Sequence, residues 1–193
     1  MPLYKKIVLE HAEICLWENS DDDVLLKNNE TIADRELQWS SSRQALSALN
    51  IDVTQVEKDE FGKPHSADDF QISISHCKSF SAAIKSKKEV GIDIEEITPR
   101  IERIASKFLN ETDEKFVQQN NRLQALYLVW CAKEALYKLY GKKAVDFKKH
   151  IVVEPFLMNE KGSFTVHFLK HEPTRFTAQY EMVESCMLVW VVG

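Results

Sequence analysis

Gly91-Ile92-Asp93-Ile94-Glu95 and Trp130-Cys131-Ala132-Lys133-Glu134-Ala135-Leu136-Tyr137-Lys138 decide how this chain folds. Apolar and acidic residues alternate in the first stretch. Successive side chains of an extended strand point to opposite faces, so Ile92 and Ile94 share one face while Asp93 and Glu95 share the other. In the second stretch, Trp130, Glu134 and Lys138 recur every four residues and lie along one face of a helix. A helix laid over the acidic face of the strand gathers Asp93, Glu95 and Glu134 beside the Lys138 ammonium. Three carboxylates with oxygen-only ligation suit a hard cation such as Mg²⁺, which completes its shell with waters and substrate phosphates. The pattern therefore points to a polyphosphate substrate. Each residue alone has a plainer reading. Acidic residues beside a turn are usually a solvated face, Glu134 and Lys138 make an ordinary surface i, i+4 pair, and His76 reads as a structural histidine. Trp130 with Leu123, Leu126 and Tyr137 follows the spacing of a buried stripe.

Outward from these segments, residues 7–17 read as one strand, and residues 30–49 as a helix entered through Thr31 and ended near Asn50. Residues 57–66 read as a loop with Gly62 and Pro64 as turn residues. Residues 72–75 make a short strand. Residues 77–85 begin as a turn or short helix and pass into a strand through Ala82, Ala83 and Ile84, and residues 89–95 form the acid-bearing strand. Pro99 opens a helical stretch, and Thr112 is the expected cap of the next helix. The long helix is predicted over residues 123–140, closed by Gly141, where a left-handed residue is often needed. Residues 151–156, 162–169, 174–184 and 187–192 read as strands of an antiparallel sheet.

A length of 193 residues allows one generous core or two small ones, and 44% hydrophobic with 28% charged residues is ordinary for a soluble globular chain. A net charge of −5 argues against general nucleic-acid binding, which relies on clustered basic residues. The longest apolar run, residues 186–192, is far too short to span a membrane. Residues 1–17 lack the apolar stretch of a signal peptide, so a cytoplasmic protein is expected. Cys15, Cys77, Cys131 and Cys186 are scattered without a C-x-x-C pair, which predicts reduced thiols and neither a zinc site nor a disulfide framework. Lys85, Lys87 and Lys88 read as solvated loop lysines. Lys142, Lys143, Lys148 and Lys149 directly follow the long helix and are suited to attracting an acidic partner. His167 and His171 would make a metal pair only on a helix, and their surroundings alternate like a strand.

The two opening segments, with Phe61-Gly62-Lys63-Pro64 and Ile74-Ser75-His76 before them in order, make the chain resemble the 4'-phosphopantetheinyl transferases, in particular their larger, single-chain, surfactin-synthetase-activating class. The matched segments span residues 61–138. The resemblance implies an α+β fold of two similar, pseudo-twofold-related halves with antiparallel sheets. It divides into residues 1–96, carrying coenzyme A-binding elements, and residues 97–193, carrying the catalytic helix. It implies transfer of phosphopantetheine from coenzyme A to a serine of an apo acyl or peptidyl carrier protein, leaving adenosine 3',5'-bisphosphate. Asp93, Glu95 and Glu134 are then the ligands of Mg²⁺, or Mn²⁺. Glu134 takes the serine proton, directly or through a water, and Lys138 meets phosphate oxygens. Arg43, Lys63, Pro64, Ser75, His76, Lys133 and Lys138 contact coenzyme A. The protein is expected to be a monomer, with no nucleic-acid or membrane partner.

Where the family commonly has an arginine-rich helix, only Arg35 and Arg43 stand here, amid Trp39 and a run of serines. The small trimeric holo-acyl-carrier-protein synthases have much shorter chains, so length favours the single-chain class. A metal-dependent phosphodiesterase or nuclease is the rival enzyme, and a non-catalytic coenzyme A- or carrier-binding protein the rival without chemistry. The acidic net charge and the Glu134–Lys138 spacing count against the first, and the unbroken acid set against the second.

Overall fold

Alternating apolar strands build two antiparallel sheets in a computed structural model that describes residues 3–19 and 32–193, with the backbone alone for 32–39. The first sheet opens with β1 (Leu3–Val8) and β2 (Ala12–Glu18), paired as a hairpin. The single strand expected over residues 7–17 is thus parts of two. The Leu9 N–H donates to the Ala12 carbonyl at 2.8 Å, and polar Glu10 and His11 turn the chain between them. Helix α1 (Ile32–Ser47) follows; its expected entry at Thr31 lies outside the described residues. Beyond its end Asn50 takes a left-handed φ of 58°. Strands β3 (Glu57–Lys58) and β4 (Pro64–His65) form a miniature hairpin where a loop was expected, and Gly62 supplies the positive φ of its turn. Strands β5 (Gln71–His76) and β6 (Phe80–Ser86) complete a sheet in the order β1-β2-β6-β5-β4-β3.

The second sheet begins with β7 (Val90–Glu96). After a 3₁₀ turn over Pro99–Arg103 come helices α2 (Ala105–Phe108), α3 (Glu111–Gln118), α4 (Arg122–Tyr140) and α5 (Phe147–His150). Strands β8 (Ile151–Val153), β9 (Lys161–Phe168), β10 (Thr174–Val183) and β11 (Cys186–Val192) close the sheet in the order β7-β11-β10-β9-β8. A division after residue 96 would leave β7 in the first half, but its backbone hydrogen bonds go to β11, with Asp93 opposite Val189 and Glu96 opposite Cys186. β7 is nevertheless covered on both sides. Its Ile92 and Ile94, with Leu188 and Trp190, share one core with Ile14, Leu16, Ala82 and Ile84 of the first sheet.

Each half thus has a sheet with a helix on one face. Helix α1 packs Ala45, Leu46 and Leu49 against Cys15, Ile72 and Ala83. Helix α4 sinks Leu128, Val129, Ala132 and Leu136 into the core beneath the second sheet. The result is the α+β architecture of two similar halves. The ends of the helices follow local chemistry. Asn110, not Thr112, caps α3: it is extended, its side chain accepts from the N–H groups of Thr112 and Asp113, and Asp113 returns the bond to its backbone. Helix α4 starts at Asn121 and ends at Gly141, whose φ of 69° and N–H donated to the Tyr137 carbonyl fulfil the expected left-handed cap. Among the described residues no helix is long and apolar enough to cross a membrane.

Candidate active site

The site starts with a missing side chain. A Cβ added at Gly91 would lie 1.8 Å from the Ala135 carbonyl oxygen, so only glycine lets α4 press this closely on β7. With the helix held there, the turn that carries Glu134 and Lys138 rides over the strand face that carries Asp93 and Glu95. Lys138 Nζ donates to the Ile92 carbonyl at 3.1 Å and to Asp93 Oδ1 at 2.7 Å. From β5, the Ser75 hydroxyl donates to the same Oδ1 at 2.7 Å. The second oxygen, Asp93 Oδ2, is buried and has no hydrogen-bond partner among the described residues. A buried carboxylate oxygen without a donor is costly unless something positive meets it.

The neighbouring acids report the same deficit of positive charge. Glu134 is pushed up to about 7, by burial above all and then by the Asp93 charge, with Lys138 opposing and Glu95 adding to the rise. Glu95 is also raised, by burial first and by Asp93 second, while Arg100, the Trp130 indole and Lys138 pull the other way. Three carboxyl groups gathered around an undonated oxygen form an oxygen-only donor set, and that chemistry fits a hard divalent cation.

Beside Lys138 a cavity of about 180 Å³ opens, lined by Lys58, Phe61, Lys63, Pro64, Ile74 and Tyr137. Two ammonium groups besides Lys138 and an aromatic wall suit an anionic ligand with a flat ring. Lys63 is anchored by the Leu139 carbonyl at 3.0 Å and by Glu89. Its stem crosses the place that a side chain at Gly141 would fill. Pro64 begins β4 on the rim of the same cavity. The helix cap and the Gly62-Lys63-Pro64 turn therefore build one wall together.

The expected site residues divide in three. Asp93, Glu95, Glu134 and Lys138 come together, and Lys63 and Pro64 line the adjoining cavity. Ser75 reaches Asp93, and His76 is exposed at the end of the same strand. Arg43, on α1, is half-buried and donates from Nη2 to the Val53 carbonyl at 3.2 Å. Lys133 is a correction. A helix turns 100° per residue, which swings Lys133 away from Glu134 and into the core. There its fully buried ammonium meets Asp113 and the carbonyls of Phe108, Phe147 and Ile151. A group with no exposure and four acceptors around it is a clamp for α3, α5 and β8, out of reach of a coenzyme. Sequence reasoning also missed Arg100, whose Nη2 lies 3.3 Å from Glu95 Oε2, and the polar use of Trp130 beside the same carboxylate. Arg100 follows the end of β7 by a turn of Pro99, so strand periodicity carried no signal for it. His167 and His171 part company as expected: one lies beside Glu154, the other contacts the Tyr140 hydroxyl.

A helix and a strand locked at Gly91 around three acids and a lysine define a class. Residues 89–183 match the model of the 4'-phosphopantetheinyl transferase superfamily. It is 32% identical over 132 residues to the 4'-phosphopantetheinyl transferase gsp of Aneurinibacillus migulanus, covering 66% of this chain and 54% of that protein. It is 35% identical over 79 residues to enterobactin synthase component D of Salmonella austin, covering 39% of this chain and 34% of that protein. With a 4'-phosphopantetheinyl transferase of Bacillus subtilis it shares 32% identity over 88 residues, 43% of this chain and 39% of the other. The chain thus spans about half the length of the first of these relatives and less of the other two.

Proposed function

We propose that this chain transfers the 4'-phosphopantetheine group of coenzyme A to a serine of an apo acyl or peptidyl carrier protein and releases adenosine 3',5'-bisphosphate. The observation that carries this reading is the convergence of Asp93, Glu95, Glu134 and Lys138 beside a lysine-lined cavity, in a chain that matches this superfamily over residues 89–183. The serine oxygen attacks the phosphorus that bears the pantetheine arm. The bond from that phosphorus to the bridging oxygen breaks, and its electron pair leaves with the bisphosphate.

Such a transfer needs positioning and charge neutralisation more than covalent help from the protein. Lys138 offers the pyrophosphate a point charge, held in place by Asp93 Oδ1 and the Ile92 carbonyl. Glu134, held near neutrality, is the group suited to take the serine proton at physiological pH. Asp93, Glu95 and Glu134 would hold Mg²⁺, or Mn²⁺, which when bound supplies neutralising charge on the pyrophosphate. Lys58, Lys63 and Phe61 are placed to receive the nucleotide end. Every group named here comes from a single copy of the chain, which supports action as a monomer.

The test is direct. Incubation with coenzyme A, Mg²⁺ and an apo carrier protein should add the mass of one phosphopantetheine to the carrier serine, and a chelator should stop it. A carrier of unchanged mass, with nucleic acid or a simple phosphodiester cleaved instead, would overturn the reading.

A further inference from the structure

The spacing of the cysteines predicts no metal site, yet the fold brings two of them together. Cys77 sits in the turn between β5 and β6 of the first sheet, and Cys186 starts β11 of the second, and their sulfurs lie 3.7 Å apart. Glu96, directly opposite Cys186 on β7, completes a cluster whose ligand atoms all lie within 4.8 Å of one another. We propose that Cys77, Cys186 and Glu96 form a binding site for Zn²⁺ that pins the two sheets together.

Geometry favours a metal over a sulfur–sulfur bond. Two thiolates at about 2.3 Å from a tetrahedral Zn²⁺ lie about 3.8 Å apart, and a disulfide requires about 2.05 Å. The observed 3.7 Å matches the first and would have to close by more than an ångström for the second. The surroundings are those of a metal thiolate. The Cys186 thiol and then the backbone N–H groups of Phe80 and Ser79 favour the charged form of the Cys77 sulfur against burial and the Glu96 charge, whereas the contact with Cys77 and burial push the Cys186 thiol up, an opposition that a bound cation would relieve. The Ser79 hydroxyl donates to Glu96 Oε1 at 2.6 Å and fixes the carboxylate, as groups behind metal ligands commonly do. Both sulfurs are buried, whereas Glu96 is only half-buried, so a fourth position is open to a water from that side. Binding releases the two thiol protons to solvent and leaves a site of two thiolates, one carboxylate and one water. Thiolate ligands distinguish this site from the all-oxygen set of Asp93, Glu95 and Glu134, which lies on the other face of β7.

Co²⁺ is the probe. Reduced, chelator-stripped protein titrated with Co²⁺ should develop a thiolate-to-cobalt charge-transfer band that saturates at one equivalent and is displaced by Zn²⁺. The band should persist in Asp93→Asn, because the acidic site offers no sulfur, and disappear in Cys186→Ser. Glu96→Gln, partly exposed and conservative, should keep the fold by circular dichroism and weaken Zn²⁺ binding at least tenfold. The proposal is overturned if folded wild-type protein shows no such band, if Asp93→Asn abolishes it, or if the two thiols oxidise to a disulfide without taking up metal. None of these readouts depends on phosphopantetheine transfer, so failure here leaves the proposed activity standing, and the reverse.

Discussion

Gly91 faces the Ala135 carbonyl oxygen across a gap that a single Cβ would reduce to 1.8 Å. At that contact β7, which carries the acids, and α4 meet. The contact explains why the strand motif opens on glycine. The acids on β7 can touch groups on α4 only because no side chain separates the two backbones.

Gly91→Ala should therefore act far beyond its size. The added methyl meets backbone, which cannot rotate aside, so α4 must shift or the strand must bend. The stability loss should be about 1–3 kcal/mol, the range for overpacking, and transfer activity should fall further than stability, since Lys138 and Glu134 move with the helix. Urea unfolding and carrier-modification assays on the same preparation measure both. Wild-type stability and activity in Gly91→Ala would show that the contact tolerates expansion and does not position the site.

Among the described residues Asp93 makes two bonds through Oδ1 and none through Oδ2. In Asp93→Asn the amide oxygen can keep the bonds from Ser75 and Lys138, but the negative charge is lost. Half-maximal activity should then need at least tenfold more Mg²⁺. Activity measured against Mg²⁺ concentration decides this, and an unchanged requirement removes Asp93 from the metal ligands.

How far the sequence could be read follows from the range of its signals. Alternation placed Asp93 and Glu95 on one face and Ile92 and Ile94 on the other, and the structure agrees, because period two is a local property of a strand. Gly141 was legible for the same reason. The hairpin at Glu10 and His11 was not, because apolar residues continue up to the turn and hide it. The partner of β7 was also out of reach, since β11 follows it by some ninety residues and nothing local specifies pairing. Lys133 shows a third limit. A lysine beside Glu134 looks exposed in sequence, and only the packing of α3, α5 and β8 around the far side of α4 reveals a buried ion pair with Asp113. The meeting of Cys77 with Cys186 is of the same kind, a contact between two sheets that no spacing rule anticipates.

Lys133 gives the third prediction. Its ammonium is fully buried against Asp113 and three carbonyls, and burial lowers its proton affinity while Asp113 opposes that. Lys133→Ala strands the Asp113 carboxylate and should destabilise by about 3–5 kcal/mol. Lys133→Met with Asp113→Asn removes both charges and should recover much of that loss. In the double variant the KM for coenzyme A should stay within a few-fold of wild type. A large rise in KM with stability intact would return Lys133 to the coenzyme site.

The last prediction is the pH response of Glu134. Its carboxyl rises from an ordinary 4.5 to about 7 in the folded, metal-free protein, through burial first and the Asp93 charge second. A carboxyl with a raised folded pKa binds a proton more tightly in the folded state than in the unfolded one. Its contribution to stability is therefore complete below the unfolded value and is lost as pH climbs through the folded one. Metal-free protein should lose on the order of 2–4 kcal/mol of stability between about pH 5 and pH 8 from this group. Mg²⁺ should flatten the slope, because a bound cation favours the ionised form that burial penalises. Removing the second cause tests the assignment: Asp93→Asn takes away a negative charge that raises Glu134, so the loss should be complete at lower pH and be smaller. Urea unfolding midpoints across this range, with Mg²⁺ and with chelator, follow all three curves. A metal-free profile that stays level, or one that Glu134→Gln leaves unchanged, would mean that Glu134 titrates as an ordinary surface acid and cannot serve as the base near neutral pH.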